Sequence, residues 1–252
     1  MKNYILADYK RIITRIPRLV ILVLFQVVFF VFALHKYNSA AGTYTSVSLL
    51  ETSTYFLSFW FIYILCLMDY IQTFSFDFRA KTIQVALGIG ISRMKVIQSK
   101  LIQLTLVMLT DLAITLANFF LLTAIMGFSL AGHQLAYIFF SGLGSVLLVS
   151  CSTALLLPLI FRVPNMVLAM VGFFVMVTGL PGVFVRFVTR LGPAFLARMQ
   201  LDQYTHESCV KLLETNAIQN MFQLWPLIGV ILWYVIGIYV AWLVFRKMEL
   251  DF

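Results

Sequence analysis

Charge is what this sequence has least of. Asp, Glu, Lys and Arg make up 11% of its 252 residues, against about a quarter in soluble domains, while 62% is apolar and the mean hydropathy is +0.98. That balance excludes a soluble protein and leaves too little polar sequence for a separate soluble domain. Cysteine is also scarce. Cys66 and Cys151 fall inside apolar runs and Cys209 stands alone outside them, as a free thiol or a link between subunits, so no internal disulfide framework is implied. Catalytic signatures are missing as well: there is no GxxxxGK[ST] phosphate loop, no HExxH zinc pair and no GxSxG nucleophile turn. Nothing in the chain hydrolyses ATP. His35, His133 and His206 lie on three different connections with no second ligand at metal spacing, and read as surface residues. The net charge of +8 comes from basic residues flanking apolar runs, where membrane topology and anionic headgroups account for them and nucleic acid does not.

The apolar runs themselves predict an all-α integral membrane protein, one transmembrane domain over 1–252. Six spans are expected at about 17–34, 54–74, 101–127, 135–161, 163–180 and 224–245, each near the ~20 residues needed to cross a bilayer. Ahead of the first, Ile5, Tyr9, Ile12 and Ile16 repeat at helical spacing with Lys2, Lys10, Arg11 and Arg15 on the other side, an amphipathic elbow helix suited to the headgroup layer. Its polar part is long for a secretory signal, so it is expected to be retained. Residues 35–53 read as a polar connection. Pro164 suits the first turn of the fifth span, which is expected to break at Leu180-Pro181-Gly182. The interval 183–222, with Gly192-Pro193 and the FLARMQL and CVKLLE stretches, is too long and apolar for a plain connector and reads as a re-entrant or surface helical segment over the outer mouth. Thirteen of the 18 Lys and Arg then fall on one side: five up to Arg18, five in Phe76–Lys100, Arg162, and two in the tail. This asymmetry places both termini in the cytoplasm and the chain in the cell membrane.

Within the spans, Ser141 and Ser145, Ser150 and Ala154, and Gly237 and Ala241 are small residues four apart, a signature of close helix contact. Asp111, about eleven residues into the third span, is the charge out of place, at a depth where an acid costs on the order of 2.5–3.5 kcal/mol. Thr115 and Asn118 share its helix face and extend it into a polar stripe, either a substrate contact, a conformational latch or hydrogen-bonded glue between helices. Asp69, nearer the inner end of its span, reads as interfacial.

Between the second and third spans, Phe76–Lys100 gathers Arg79, Lys81, Arg93, Lys95 and Lys100 in a short polar interval. Thr82 to Leu87 can form a short helix with Ile83 and Leu87 on one face, Gly88 and Gly90 can end it, and Ser92 can cap the next. Such a helix-break-helix is a lever for a partner: Ile83 and Leu87 can seat in a groove while Arg93 meets an acid. Asp77, Arg79, Thr82-Ile83, Leu87, Gly90-Ile91-Ser92-Arg93 and Ser99-Lys100 resemble the cytoplasmic coupling segment of permease subunits of type-two ATP-binding-cassette (ABC) transporters, mostly exporters, although Lys81 stands where that family often has Gly. The six spans, elbow helix, long segment between the fifth and sixth spans, and Phe-Arg-Lys-Met-Glu tail extend the resemblance over the chain. The resemblance implies an exporter of an amphipathic or lipophilic, peptide- or drug-like cargo, as in antimicrobial-peptide immunity. It implies that Arg79, Thr82, Ile83, Leu87, Gly88, Gly90, Ser92 and Arg93 form the ATPase-coupling interface. It also implies a second permease, identical or not, and separate ATPase subunits that carry ATP and Mg, so that this chain binds no cofactor itself. Two rivals stand beside it. An ATP-driven importer permease would carry Glu-Ala-Ala, three residues, then Gly, of which Ala86 and Gly90 fit only part, and an intramembrane enzyme would need paired polar residues at one depth on different spans.

Overall fold

The computed structural model describes residues 2–40, 42–79, 82–88, 90–162, 165–191, 200–219 and 223–247, and these are helical throughout, with no strand among them. Five helices are long and apolar enough to cross a membrane, and a bent pair makes a sixth crossing if counted as one. The chain is thus a multi-pass membrane protein. Helix α1 (Lys2–Ile13) leads into α2 (Ile16–Ser39), with Pro17 in its first turn. A short link precedes α3 (Ser46–Tyr55), whose cap Thr45 accepts from Ser48 N–H. The axis continues through a π-helical stretch (Phe56–Cys66) into α4 (Leu67–Arg79). The polar connection expected over 35–53 is therefore mostly helix: its Ser and Thr hydroxyls bond back to carbonyls one turn earlier, as Ser39, Thr52 and Ser53 do, and so cost the helix little.

Next come α5 (Thr82–Gly88), α6 (Arg93–Ile125) and α7 (Gly132–Arg162). At 33 residues, α6 is about 50 Å long, well beyond a hydrocarbon core of about 30 Å, so it begins eight residues ahead of the span expected from Leu101. The fifth crossing is broken. Helix α8 (Met166–Val177), capped by the Asn165 side chain, and α9 (Leu180–Leu191) meet at 59°. The break sits at Gly179, whose φ of +76° a residue with a Cβ rarely adopts. Pro181 and Gly182, expected to make that break, lie instead in the first turn of α9, where a proline costs no hydrogen bond. A 3₁₀ turn (Leu201–Tyr204), α10 (His206–Ile218) and α11 (Leu224–Arg246) complete the fold. Pro164, Gly192-Pro193, most of the FLARMQL stretch and the Met248-Glu249 tail lie outside the described residues.

Helix α7 is the hub. Its small residues admit neighbours on every side: a Cβ on Gly142 would stand 2.5 Å from Leu112 of α6, and one on Gly237 of α11 would stand 2.6 Å from the Ala154 backbone. With no water to squeeze out between helices in lipid, such close approach is what holds them. Conversely, Val20, Val23, Leu24, Val27, Val28 and Val31 of α2 are more than half exposed, the face a span offers to lipid. The opposite face of α2 buries Phe25 and Phe29 against Phe56, with Phe29 and Phe56 centroids 4.9 Å apart.

Candidate functional site

One polar seam runs between α2, α4 and α6. Arg18, the third residue of α2, is 2% exposed, and Asp69 and Asp111 are 1% exposed each. Arg18 Nε donates to Asp69 Oδ1 at 2.9 Å and its Nη2 donates to Asp111 Oδ1. Two carboxylates thus face one guanidinium. The second oxygen of each acid has no hydrogen-bond partner. Two turns further along, Gln26 Nε2 donates to Thr115 Oγ1 at 2.9 Å, and Asn118 Nδ2 donates to the Gln26 side-chain oxygen at 2.9 Å and to its backbone carbonyl at 3.0 Å. The stripe of Asp111, Thr115 and Asn118 expected from spacing is therefore a helix-to-helix contact. Since Arg18 and Gln26 are eight apart and meet residues seven apart on α6, the two helices run parallel.

Two expectations change here. Asp69 is buried against α2 and α6 rather than left at an open surface, and α4 continues inward for another ten residues beyond it. Asp111 stands level with the first turn of α2, at the head of that helix's apolar run rather than at its middle, because α6 starts so far below. Arg18 was missed altogether. The available signal was Gln26, which is the only polar residue between Leu19 and Leu34 and lies two turns from Arg18 on one face. Below this seam α1 is strapped to α6: Lys100, 1% exposed, pairs with Asp8, which also meets Arg11 at 3.1 Å, and Tyr9 bonds Thr110 at 2.7 Å. Lys100, counted above with the basic loop, serves the interior.

The corner between α4 and α6 has the expected outline with different contacts. Helix α5 ends in a Schellman turn, with Gly90 N–H to Leu87 O at 3.0 Å, Ile91 N–H to Ala86 O at 3.1 Å and Gly90 at φ +87°. Ser92 occupies the N-cap position of α6 without a side-chain hydrogen bond. Ile83 and Ala86 are buried, and Leu87 packs on the same core. Ile83 and Ala86 anchor α5 to its own spans, while Leu87 is half-buried. Arg93 likewise turns inward: its guanidinium donates to Phe245 O and Arg246 O, both at 2.6 Å, and lies over the Phe245 ring. A cation closing a helix C-terminus satisfies carbonyls that end without partners. Gly88 and Ser92 remain exposed. The side chains of Arg79 and Thr82, and Lys81 altogether, lie outside what is described.

On the opposite side, α10 packs along α7. His206 is 3% exposed, contrary to the surface position expected for it, and its Nε2 lies 3.1 Å from Ser152 Oγ. Cys209 is buried beside Gly229, which rules out an accessible thiol for pairing between subunits. Burial pushes the His206 imidazole below its ordinary value, against a hydrogen bond to the Met176 backbone. A histidine held neutral by the fold stabilises it above the unfolded value of about 6.5, and that contribution is lost as pH falls below it. The melting midpoint should therefore drop between about pH 7.5 and about pH 5.5, and drop less in His206→Asn. Equal drops would remove His206 from the account.

Among the described residues no group of three or more His, Cys, Asp or Glu side chains could hold a metal ion. No protein-family model matches the chain, and no curated protein matches it significantly.

Proposed function

We propose that this chain is the permease subunit of an ATP-driven ABC-type exporter, set in the cell membrane with both termini in the cytoplasm. It works beside a second permease and with separate ATPase subunits that bind ATP and Mg. The observation that carries this reading is the α5 corner. A seven-residue helix stands between two long membrane helices, fastened to the core through Ile83 and Ala86 and stopped by a positive-φ glycine. Its sequence is the stretch that resembles a coupling segment. A push on α5 would reach three elements together: α4 and α6, which it joins, and α11, whose end Arg93 holds. The Arg18 cluster then makes α2, α4 and α6 move as one body, the rigid-body behaviour that alternating access requires. The broken fifth crossing and the polar seam also support a transport chain. An amphipathic or lipophilic cargo suits a bundle whose walls are largely aromatic and aliphatic.

The test is purification of the chain from its native membranes in mild detergent. A soluble partner with a phosphate-loop sequence and ATPase activity is expected to accompany it. Gly88→Asp is the companion variant: a Cβ there meets nothing within 4 Å, so the chain should fold as before while losing the partner by about tenfold or more in affinity. A partner retained in full by Gly88→Asp would move the contact away from α5, and no ATPase at all would defeat the reading.

A further inference from the structure

Between α10, α7, the π-helical stretch and the end of α8 lies a cavity of about 280 Å³ whose wall includes Glu207, Glu214, Lys211, Tyr63, Ser141 and Thr178. Its position is unusual for carboxylates. The neighbouring His206 bonds Ser152, about two-thirds of the way along α7, so α10 carries Glu207 into the bundle to that height, where an acid without a role is costly. Glu207 and Glu214 are two turns apart on one face of α10, and each lies against a glycine. A Cβ on Gly144 would stand 2.8 Å from Glu214 Oε2, and one on Gly179 only 1.8 Å from Glu207 Oε2. Bare backbone at these two places is what lets both side chains turn toward the cavity. Among the described residues one cation is on the wall. Lys211 Nζ donates to Glu207 Oε1 at 2.5 Å from a side chain that is 66% exposed, while Glu214 is held through Ser141 and burial raises its carboxyl above the usual range. Acid therefore exceeds base by one in a space with aromatic rings at its side: Phe59, and Tyr63 stacked on Phe174 at 5.6 Å.

We propose that this cavity is a subsite for a single cationic group, an ammonium or guanidinium, of an amphipathic cargo. The volume equals roughly nine waters at about 30 Å³ each, room for one charged side chain and not for a whole peptide. The carboxylates supply charge, the serine and threonine hydroxyls accept the remaining N–H donors, and the rings cover the aliphatic stem. The word cargo rests on the permease reading; the binding chemistry does not.

Binding is measured on the purified chain in detergent, without any ATPase, using a fluorescent lysine-containing amphipathic peptide and the same peptide with its lysines acetylated. Glu207→Gln and Glu214→Gln should each weaken the lysine peptide by about tenfold, acetylation should do the same to the wild type, and Glu51→Gln, on a different surface, should change nothing. Gly144→Val, whose added atoms crowd the Glu214 carboxylate and occupy cavity space while leaving the number of charges unchanged, should also weaken binding. The wild-type affinity should fall with pH as Glu214 takes up a proton, Glu207, Lys211 and Tyr63 being the other titratable groups on the wall. Equal binding of both peptides, wild-type affinity in both glutamine variants at unchanged melting midpoint, or no binding by the wild type would each overturn the proposal. A missing ATPase in the co-purification would defeat the permease reading and leave this result standing, so the two failures are distinguishable.

Discussion

Arg18→Met should destabilise the protein by about 3–5 kcal/mol, the cost of removing one partner from a buried ion cluster. The substitution leaves Asp69 and Asp111, each 1% exposed, facing one another across α4 and α6 with no counter-charge. Either single neutralisation, Asp69→Asn or Asp111→Asn, should cost much less, because one acid remains matched by the guanidinium. The triple variant Arg18→Met, Asp69→Asn, Asp111→Asn should recover most of the loss, since an uncharged set of similar size removes the desolvation penalty along with the attraction. Thermal unfolding in detergent, read alongside monodispersity, checks all four. Should Arg18→Met melt with the wild type, the cluster is not a tie between helices. Should Asp111→Asn cost as much as Arg18→Met, the account of two acids sharing one base fails.

Gly237→Val should cost about 3 kcal/mol, the upper end for overpacking, by forcing α7 and α11 apart. The added Cβ would lie 2.6 Å from the Ala154 carbonyl carbon and 2.7 Å from its oxygen, and backbone atoms inside a helix cannot rotate aside. The damage should spread, because Phe161 and Phe245 stack at 4.5 Å at the far end of the same helix pair and Arg93 grips the carbonyls just there. Gly229→Ala offers the contrast. Its Cβ meets Cys209 Sγ at 2.6 Å, a side-chain atom that can move, so its cost should be smaller by at least about half. Equal melting midpoints for Gly237→Val and Gly229→Ala would show that the two helices are not in backbone contact.

Much of this architecture was legible from local pattern. Apolar run length marked the crossings, and small residues four apart marked Gly237 and Ala154 for close approach. The α5 corner could be read because a Schellman turn is a local device: Gly90 is demanded by the backbone within five residues of it. The Asp111, Thr115 and Asn118 face was legible for the same reason, as a matter of helical spacing.

Illegible were the partners. Arg18 and Lys100 looked like flanking charges that set orientation, and both are buried in ion pairs with residues 51 or more positions away. Ile83 and Arg93 looked only like contacts for another protein, and each also has a partner within the chain: Ile83 in the core and Arg93 at the end of α11. His206 looked exposed because nothing local says that α10 turns back beside α7. At the fifth-crossing break the long-range part is again the illegible one: Gly179 has a left-handed backbone, and Glu207 of α10 fills the space a Cβ there would need.

Taken alone, the sequence determined that this chain lives in a membrane and roughly where its apolar crossings lie. Each of these depends on residues within one or two turns, and on the cost of exposing backbone and charge to lipid. Which charges neutralise one another was decided by the tertiary structure. A buried ion pair requires two helices at one depth with facing sides, and a stretch of sequence carries its own periodicity but not the rotation and height of its neighbour.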